Sequence, residues 1–278
     1  MMSVQLDSLI SSIERLWPVQ NAEEWDVVGL VSGDRKQNIT KVLLTVDVTT
    51  EVVDYAIEVG ANLIFAHHPL LLKSVTSVAE DTSKGSVLAK LIKSGVALYS
   101  AHTNSDAVPT GTSAALANAI GLTGAKPLQE YADGVHGIGK LGKLSEPITL
   151  GELASRLNAA LPATATGVRV AGDFNQKVET VALCAGAGDS YLRLALDSGA
   201  DVYITSDLRH HPAQEILELA KARDKDFALI DISHWAAEFL WLEQAKSELT
   251  AVAPTVEIEI CETRTDVFDF LMNAPKSN

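Results

Sequence analysis

Cysteine is nearly missing from this sequence: Cys184 and Cys261 are the only two. No C-x-x-C pair exists, so a zinc knuckle and a disulfide framework are both excluded. Each cysteine sits in an apolar or strand-like stretch and reads as a buried free thiol of a reducing compartment. Basic residues are also in deficit. Lys and Arg number 22 against 36 Asp and Glu, a formal charge of −14. That balance disfavours nonspecific binding to nucleic acid and to anionic membrane surfaces. No apolar stretch approaches the roughly 20 residues that span a bilayer. The first residues, MMSVQLDSLISSIERLW, lack a basic segment followed by a continuous apolar run. They read as an amphipathic helix, and the expected location is the cytoplasm. A Walker loop and a serine nucleophile elbow are absent as well.

What is present is an alternation of helical and strand-like segments. Leu6, Leu9, Ile10, Ile13 and Leu16 recur at helical spacing, and Pro18 ends the helix. Residues 25–30 read as a turn. Strands are expected at 41–47, 61–66 and 96–101, with helices at 49–60 and 86–94 between them. Gly60 and Gly95 close those helices. Strands separated by helices imply α/β architecture with mostly parallel sheets, in which strand C-termini carry the ligand site.

Residues 53–66 are echoed at 192–205. In both, a helix ends in Gly-Ala-(Asn/Asp) and an apolar strand follows. The echo predicts two related α/β lobes, the first from 1–125 plus 226–278 and the second from 126–225. Further segments are a helix at 150–161 with a Thr149/Glu152 capping box, a helix at 213–222, a strand at 226–231, a helix at 233–243 and a strand at 256–261. Residues 274–278 read as a frayed tail. Gly137-Ile-Gly139-Lys-Leu-Gly142 matches G-x-G-x-x-G, but no apolar strand precedes it and no helix follows. It reads as a strand entering the second lobe.

The chemistry gathers at strand ends. The 61–66 strand delivers His67, His68 and Pro69. Successive side chains alternate in a strand, so the two imidazoles should splay and suit two neighbouring metal ions. His102 and Asp106 follow the next strand. A loop carboxylate such as Asp106 can bridge two cations; alone it reads as a turn residue. His102 suits a ligand, an orienter of water or substrate, or a core histidine, with contact to a ligand residue or to substrate favoured. His234 and Glu238, four apart on one helix, share a face and could bind one metal or reach a second. In isolation they read as a hydrogen-bonded surface pair. Together these residues form a plausible set for two divalent ions, with Zn, Mn, Fe, Co and Ni equally suited. Two ions 3.5–4 Å apart serve many hydrolases.

The ordered set Trp25-Asp26…Gly29-Leu30, Ala66-His-His-Pro-Leu70, His102-Thr-Asn…Asp106, Gly137…Gly142, Thr205-Ser-Asp207…His211 and His234…Glu238 resembles the Nif-three-like family, whose members are labelled GTP cyclohydrolase I type 2 homologues. The resemblance covers nearly the whole chain. It implies a two-lobed α/β protein with a two-metal site on His67, His68, Asp106, His234 and Glu238. Asp106 and Glu238 would be shared or close to both ions, and His211 would line the pocket. It also implies a homo-oligomer, often a hexamer. The chain departs from the family pattern at Val27, where Asn is common, and at Ser206 and Ser233, where Gly is. The larger inserted domain of some members is missing. The resulting expectation is a metal-dependent hydrolase acting through a metal-bound hydroxide, with His102 or His211 moving a proton. Its substrate would be a small molecule such as a nucleotide or phosphoester. The alternative is a non-enzymatic protein that binds metal or a regulatory partner.

Overall fold

The computed structural model describes residues 3–272. The expected frayed tail at 274–278 lies outside the described residues. The chain divides into two units, residues 1–111 with 241–265 and residues 112–240 with 266–278.

In the first unit, five strands form one sheet in the order Glu257–Ile260, Lys41–Thr45, Leu63–Ala66, Ala97–Ser100, Gly29–Ser32. The first four run parallel, and Gly29–Ser32 is antiparallel at the edge. The segment expected as a turn therefore runs into a strand; four residues entered through Gly29 at φ +111° are too short to show a period. Leu63–Ala66 is buried along its whole length because both faces are covered. Ile64 packs with Leu43, Leu98, Val52, Val87 and Leu91 on one face. On the other, Phe65 stacks on Tyr99 and meets Trp17, which meets Trp241 edge-on. The amphipathic N-terminal helix Leu6–Leu16 forms as expected and buries Leu6, Leu9, Ile10 and Ile13. Thr49 caps the helix Thr50–Glu58 through the Val52 amide, and Gly95, left-handed at φ +68°, ends Ser83–Ser94.

The second unit holds a six-stranded sheet in the order Arg169–Ala171, Ala228–Ile232, Val202–Ser206, Lys177–Ala187, Lys140–Thr149, Leu122–Lys126. Val202–Ser206 is parallel to both neighbours, whereas the outer pairs are antiparallel. The first sheet is thus mostly parallel, as expected, and the second is mixed. Leu183, Ile204 and Ile230 pack against Leu116, Leu153 and Ala237. The Gly137–Gly142 stretch is two strands, Gly137–Ile138 and the start of Lys140–Thr149. The Thr149/Glu152 capping box opens the helix Leu150–Ala160. The echo of the two units is a helix feeding a central strand: Thr50–Glu58 into Leu63–Ala66, and Leu192–Asp197 into Val202–Ser206.

The unit boundaries fall elsewhere than at 125/126 and 225/226. Ala228–Ile232 pairs residue by residue with Val202–Ser206, which draws it and the next helix into the second unit. Leu122–Lys126 likewise pairs with Lys140–Thr149. The expected helix at 233–243 is two: His234–Phe239 in the second unit and Trp241–Val252 in the first. The helix expected from 213 begins at His210, since Pro212 in a first turn costs no hydrogen bond. No helix among the described residues is long and apolar enough to cross a membrane.

Candidate metal centre

In the first unit the polypeptide stays paired beyond the end of Leu63–Ala66. The His67 amide donates to Thr45 O and the His68 amide to Val46 O. The two rings do not splay. Their centroids are 5.0 Å apart at a tilt of 41°, because the chain bends once it leaves the strand. The His102 ring joins them, 5.2 Å from that of His67 and 5.5 Å from that of His68. His67, His68 and His102 each bring one ring nitrogen to within 4.8 Å of the others. His102 therefore stands with the histidine pair itself, closer than the outer role favoured from sequence. Asp106 ends the short helical turn Thr103–Asp106, and its Oδ1 lies 3.7 Å from His67 Nε2.

What fixes these rings is legible atom by atom. His67 Nδ1 donates to the Ala101 carbonyl at 3.0 Å. A carbonyl only accepts, so the proton is on Nδ1 and the neutral ring keeps its lone pair on Nε2. His68 Nδ1 donates to Asp47 Oδ1 at 2.7 Å, and His102 Nδ1 donates to Asp26 Oδ2 at 3.0 Å. The carboxylates are themselves held. Thr265 Oγ1 donates to Asp47 Oδ2. The Thr103 amide and hydroxyl donate to Asp26 Oδ2 at 3.1 and 2.6 Å. Burial raises the Asp26 pKa, but the His102 and Thr103 hydrogen bonds outweigh it and leave the carboxyl below its ordinary value.

The second unit repeats the arrangement. Ser233 caps the helix His234–Phe239 by accepting from the Ala236 amide. His234 Nδ1 donates to Asp207 Oδ2 at 2.7 Å, and Glu238 Oε1 lies 2.9 Å from His234 Nε2. Glu238 is only 3 % exposed, far from a solvated surface pair. Burial disfavours charge on His234, yet Glu238 and Asp207 outweigh it and push its pKa up to about 11. A metal ion on this nitrogen would have to displace that proton. Gly186, at φ +76°, makes room: a Cβ there would stand 2.5 Å from Glu238 Oε1 and 3.4 Å from His234 Nε2. Asp207 is left-handed at φ +57°, a conformation Asp tolerates better than most residues.

His211 lies in the first turn of the helix His210–Ala222, exposed, with its ring against His210. The structure gives it no hydrogen bond or ion pair with His234 or Glu238 among the described residues. Asp26, Asp47, Asp207 and Gly186 touch the candidate ligands, and the sequence gave none of them that task. Each works through a tertiary contact. Asp47→Ala is expected to weaken divalent-metal affinity about 10–100-fold by freeing the His68 ring; calorimetric titration with Zn²⁺ and Mn²⁺ measures it, and unchanged affinity would deny Asp47 that role.

A family model described as Duf34/NIF3 (NGG1p interacting factor 3) matches residues 4–267. A Streptomyces coelicolor protein named GTP cyclohydrolase 1 type 2 homolog is 40% identical over 282 residues, covering 99% of this chain and 97% of its own. A Mycobacterium bovis protein of the same name is 31% identical over 95% of this chain and 97% of its own. That alignment runs to 373 positions, more than the 278 residues here, so the relative carries inserted residues this chain lacks. The crystal structure of a Bacillus cereus protein related to NIF3 superposes with a TM-score of 0.89 at 25% identity, over 98% of this chain and all of that one.

Proposed function

We propose that this chain, which belongs to the Duf34/NIF3 family, carries two divalent metal ions and acts as a metal-dependent hydrolase. The ligands we assign are His67, His68, His102, Asp106, His234 and Glu238. One observation carries the reading: all four histidines have Nδ1 committed to an acceptor, namely Ala101 O, Asp47, Asp26 and Asp207. That is how proteins orient imidazoles that bind metal through Nε2. Four imidazoles and two carboxylates fit Zn, Mn, Fe, Co or Ni.

Bound divalent ions would supply Lewis acidity, polarising a carbonyl or phosphoryl group and acidifying water. The chain's own part is positional. Asp26 and Asp47 fix two rings and raise their basicity. Asp106 and Glu238 offset cationic charge. With His102 placed among the ligands, proton transfer falls to His211, whose imidazole is exposed. The relatives' name supports a small-molecule substrate of the nucleotide or phosphoester class. The family resemblance implies a homo-oligomer, often a hexamer.

Glu238→Gln tests the reading. It should cut metal occupancy and any metal-dependent hydrolysis of nucleotides or phosphoesters more than tenfold, a larger effect than the fall in melting temperature that loss of the buried His234–Glu238 pair brings. A large fall in melting temperature with metal retained would make His234 and Glu238 a structural pair. The family description names an interaction, which favours a second reading, a metal-binding protein that serves a partner. Full metal loading without hydrolysis across a nucleotide and phosphoester panel would select it.

A further inference from the structure

Val267, Phe268, Phe270, Leu271 and Met272 lie in a segment with neither helix nor strand, and each is between 56 and 81 % exposed. Single exposed apolar residues are ordinary. Five within six positions form a contiguous patch, the kind that marks an interaction site. The segment is anchored in the second unit, where Ser233 Oγ donates to Asp266 Oδ2 and the Phe268 amide donates to Asp266 Oδ1. Asp266 thus starts an arm whose apolar side chains stand in water.

The same unit has an open sheet edge. Arg169–Ala171 pairs with Ala228–Ile232 on one side and with no strand on the other among the described residues. An unpaired edge is a template for another strand. A pocket lies on each face of this one. The larger, of about 390 Å³, is walled by Leu150, Ala154 and Phe174 beside the edge. The smaller, of about 190 Å³, is walled by Leu208, Ala213 and Leu229. Val168 lines only the larger, Arg169 and Ala171 only the smaller, and Val170 borders both.

Arm and edge match in period, size and charge. A strand added to an edge sends alternate side chains into the pockets on its two faces. From Asp269 onward the arm offers Phe270 and Met272 on one side, and Asp269 and Leu271 on the other. Phe270 and Met272 suit the larger pocket. Leu271 suits the smaller one, and Asp269 meets Arg169, whose side chain is exposed although paired with Asp231. The arm also leaves the unit beside this edge. Its anchor Ser233 is two residues, about 7 Å, beyond Asp231, which lies opposite Arg169.

We propose that residues 269–272 of one copy of this chain add as a strand to the Arg169–Ala171 edge of a second copy, each arm covering the other's edge about a two-fold axis. Two exchanged arms take on the order of 1,000 Å² of their own surface out of water, and the walls they cover add a similar area, enough for a stable dimer. Two aspartates in the arm and the chain's charge of −14 argue against an anionic membrane as the occupant.

Cross-linking tests this on the full chain. Val170→Cys and Phe270→Cys proteins are prepared separately, mixed, and treated with oxidised glutathione. The native Cys184 and Cys261 are buried. A covalent dimer should form in the mixture and from neither variant alone. Ala171→Cys with Leu271→Cys repeats the comparison on the other face, should the first pair fold poorly. In sedimentation velocity, Phe270→Asp should weaken self-association about tenfold or more and leave a smaller species. Val170 and Phe270 are exposed and neither is a candidate metal ligand, so each variant should keep the parent's metal content, which separates this test from that of the metal site. No cross-link in either mixture would overturn the proposal, as would an unchanged mass in Phe270→Asp. A cross-link inside one doubly substituted chain, with none in the mixture, would put the arm on its own edge and overturn it too. So would a Phe270→Asp variant that loses only binding to lipid vesicles.

Discussion

His68→Ala is expected to lose divalent-metal affinity by roughly a hundredfold or more, since even an outer partner of a metal-binding histidine is worth 10–100-fold. The fold should survive. His68 follows an independently apolar strand, and its side chain is partly exposed, outside the apolar core. Changes at such positions shift stability by about 0.5 kcal/mol or less, a degree or two in melting temperature at this size. Elemental analysis and a melting curve on one sample separate the two effects. Retained metal would remove His68 from the ligand set. Trp241, whose ring centroid is 5.5 Å from that of His67, offers a second readout: its fluorescence should respond to metal in the parent protein and far less in the variant.

Gly186→Ala should damage the His234–Glu238 pair as severely, by another route. At φ +76° an alanine pays about 1–2 kcal/mol of left-handed strain. Its Cβ would also stand 2.5 Å from Glu238 Oε1, so the carboxylate must leave its place beside His234. Gly199 supplies the control. It has φ +82° and nothing within 4 Å of its would-be Cβ. Gly199→Ala should cost similar stability and leave metal content unchanged, whereas Gly186→Ala should lose both. Equal metal content in the two variants would show that the gap at Gly186 does not serve Glu238.

The positions that could be read from sequence are those whose signal is local. His67 and His68 stood out because an apolar run ended on them. The Thr149/Glu152 capping box was legible because a cap is defined within four residues. The turn of the two imidazoles toward each other was not legible, since alternation holds only while the chain remains a strand. Nor was the allocation of Ala228–Ile232: an apolar run announces a strand but not its partner. Asp26 meets His102 across 76 residues, and Asp207 meets His234 across 27, so only the fold reveals that these carboxylates orient rings. The Gly137–Gly142 stretch forms two strand segments with no helix directly after Gly142, as its sequence context suggested.

The most direct test of the account is the metal content of the protein purified without a histidine tag, by elemental analysis, before and after reconstitution with Zn²⁺, Mn²⁺ or Fe²⁺. Two transition-metal ions per chain are predicted. A chain that holds none after reconstitution, with its fold intact by circular dichroism, would contradict the assignment of His67, His68, His102, Asp106, His234 and Glu238 as ligands.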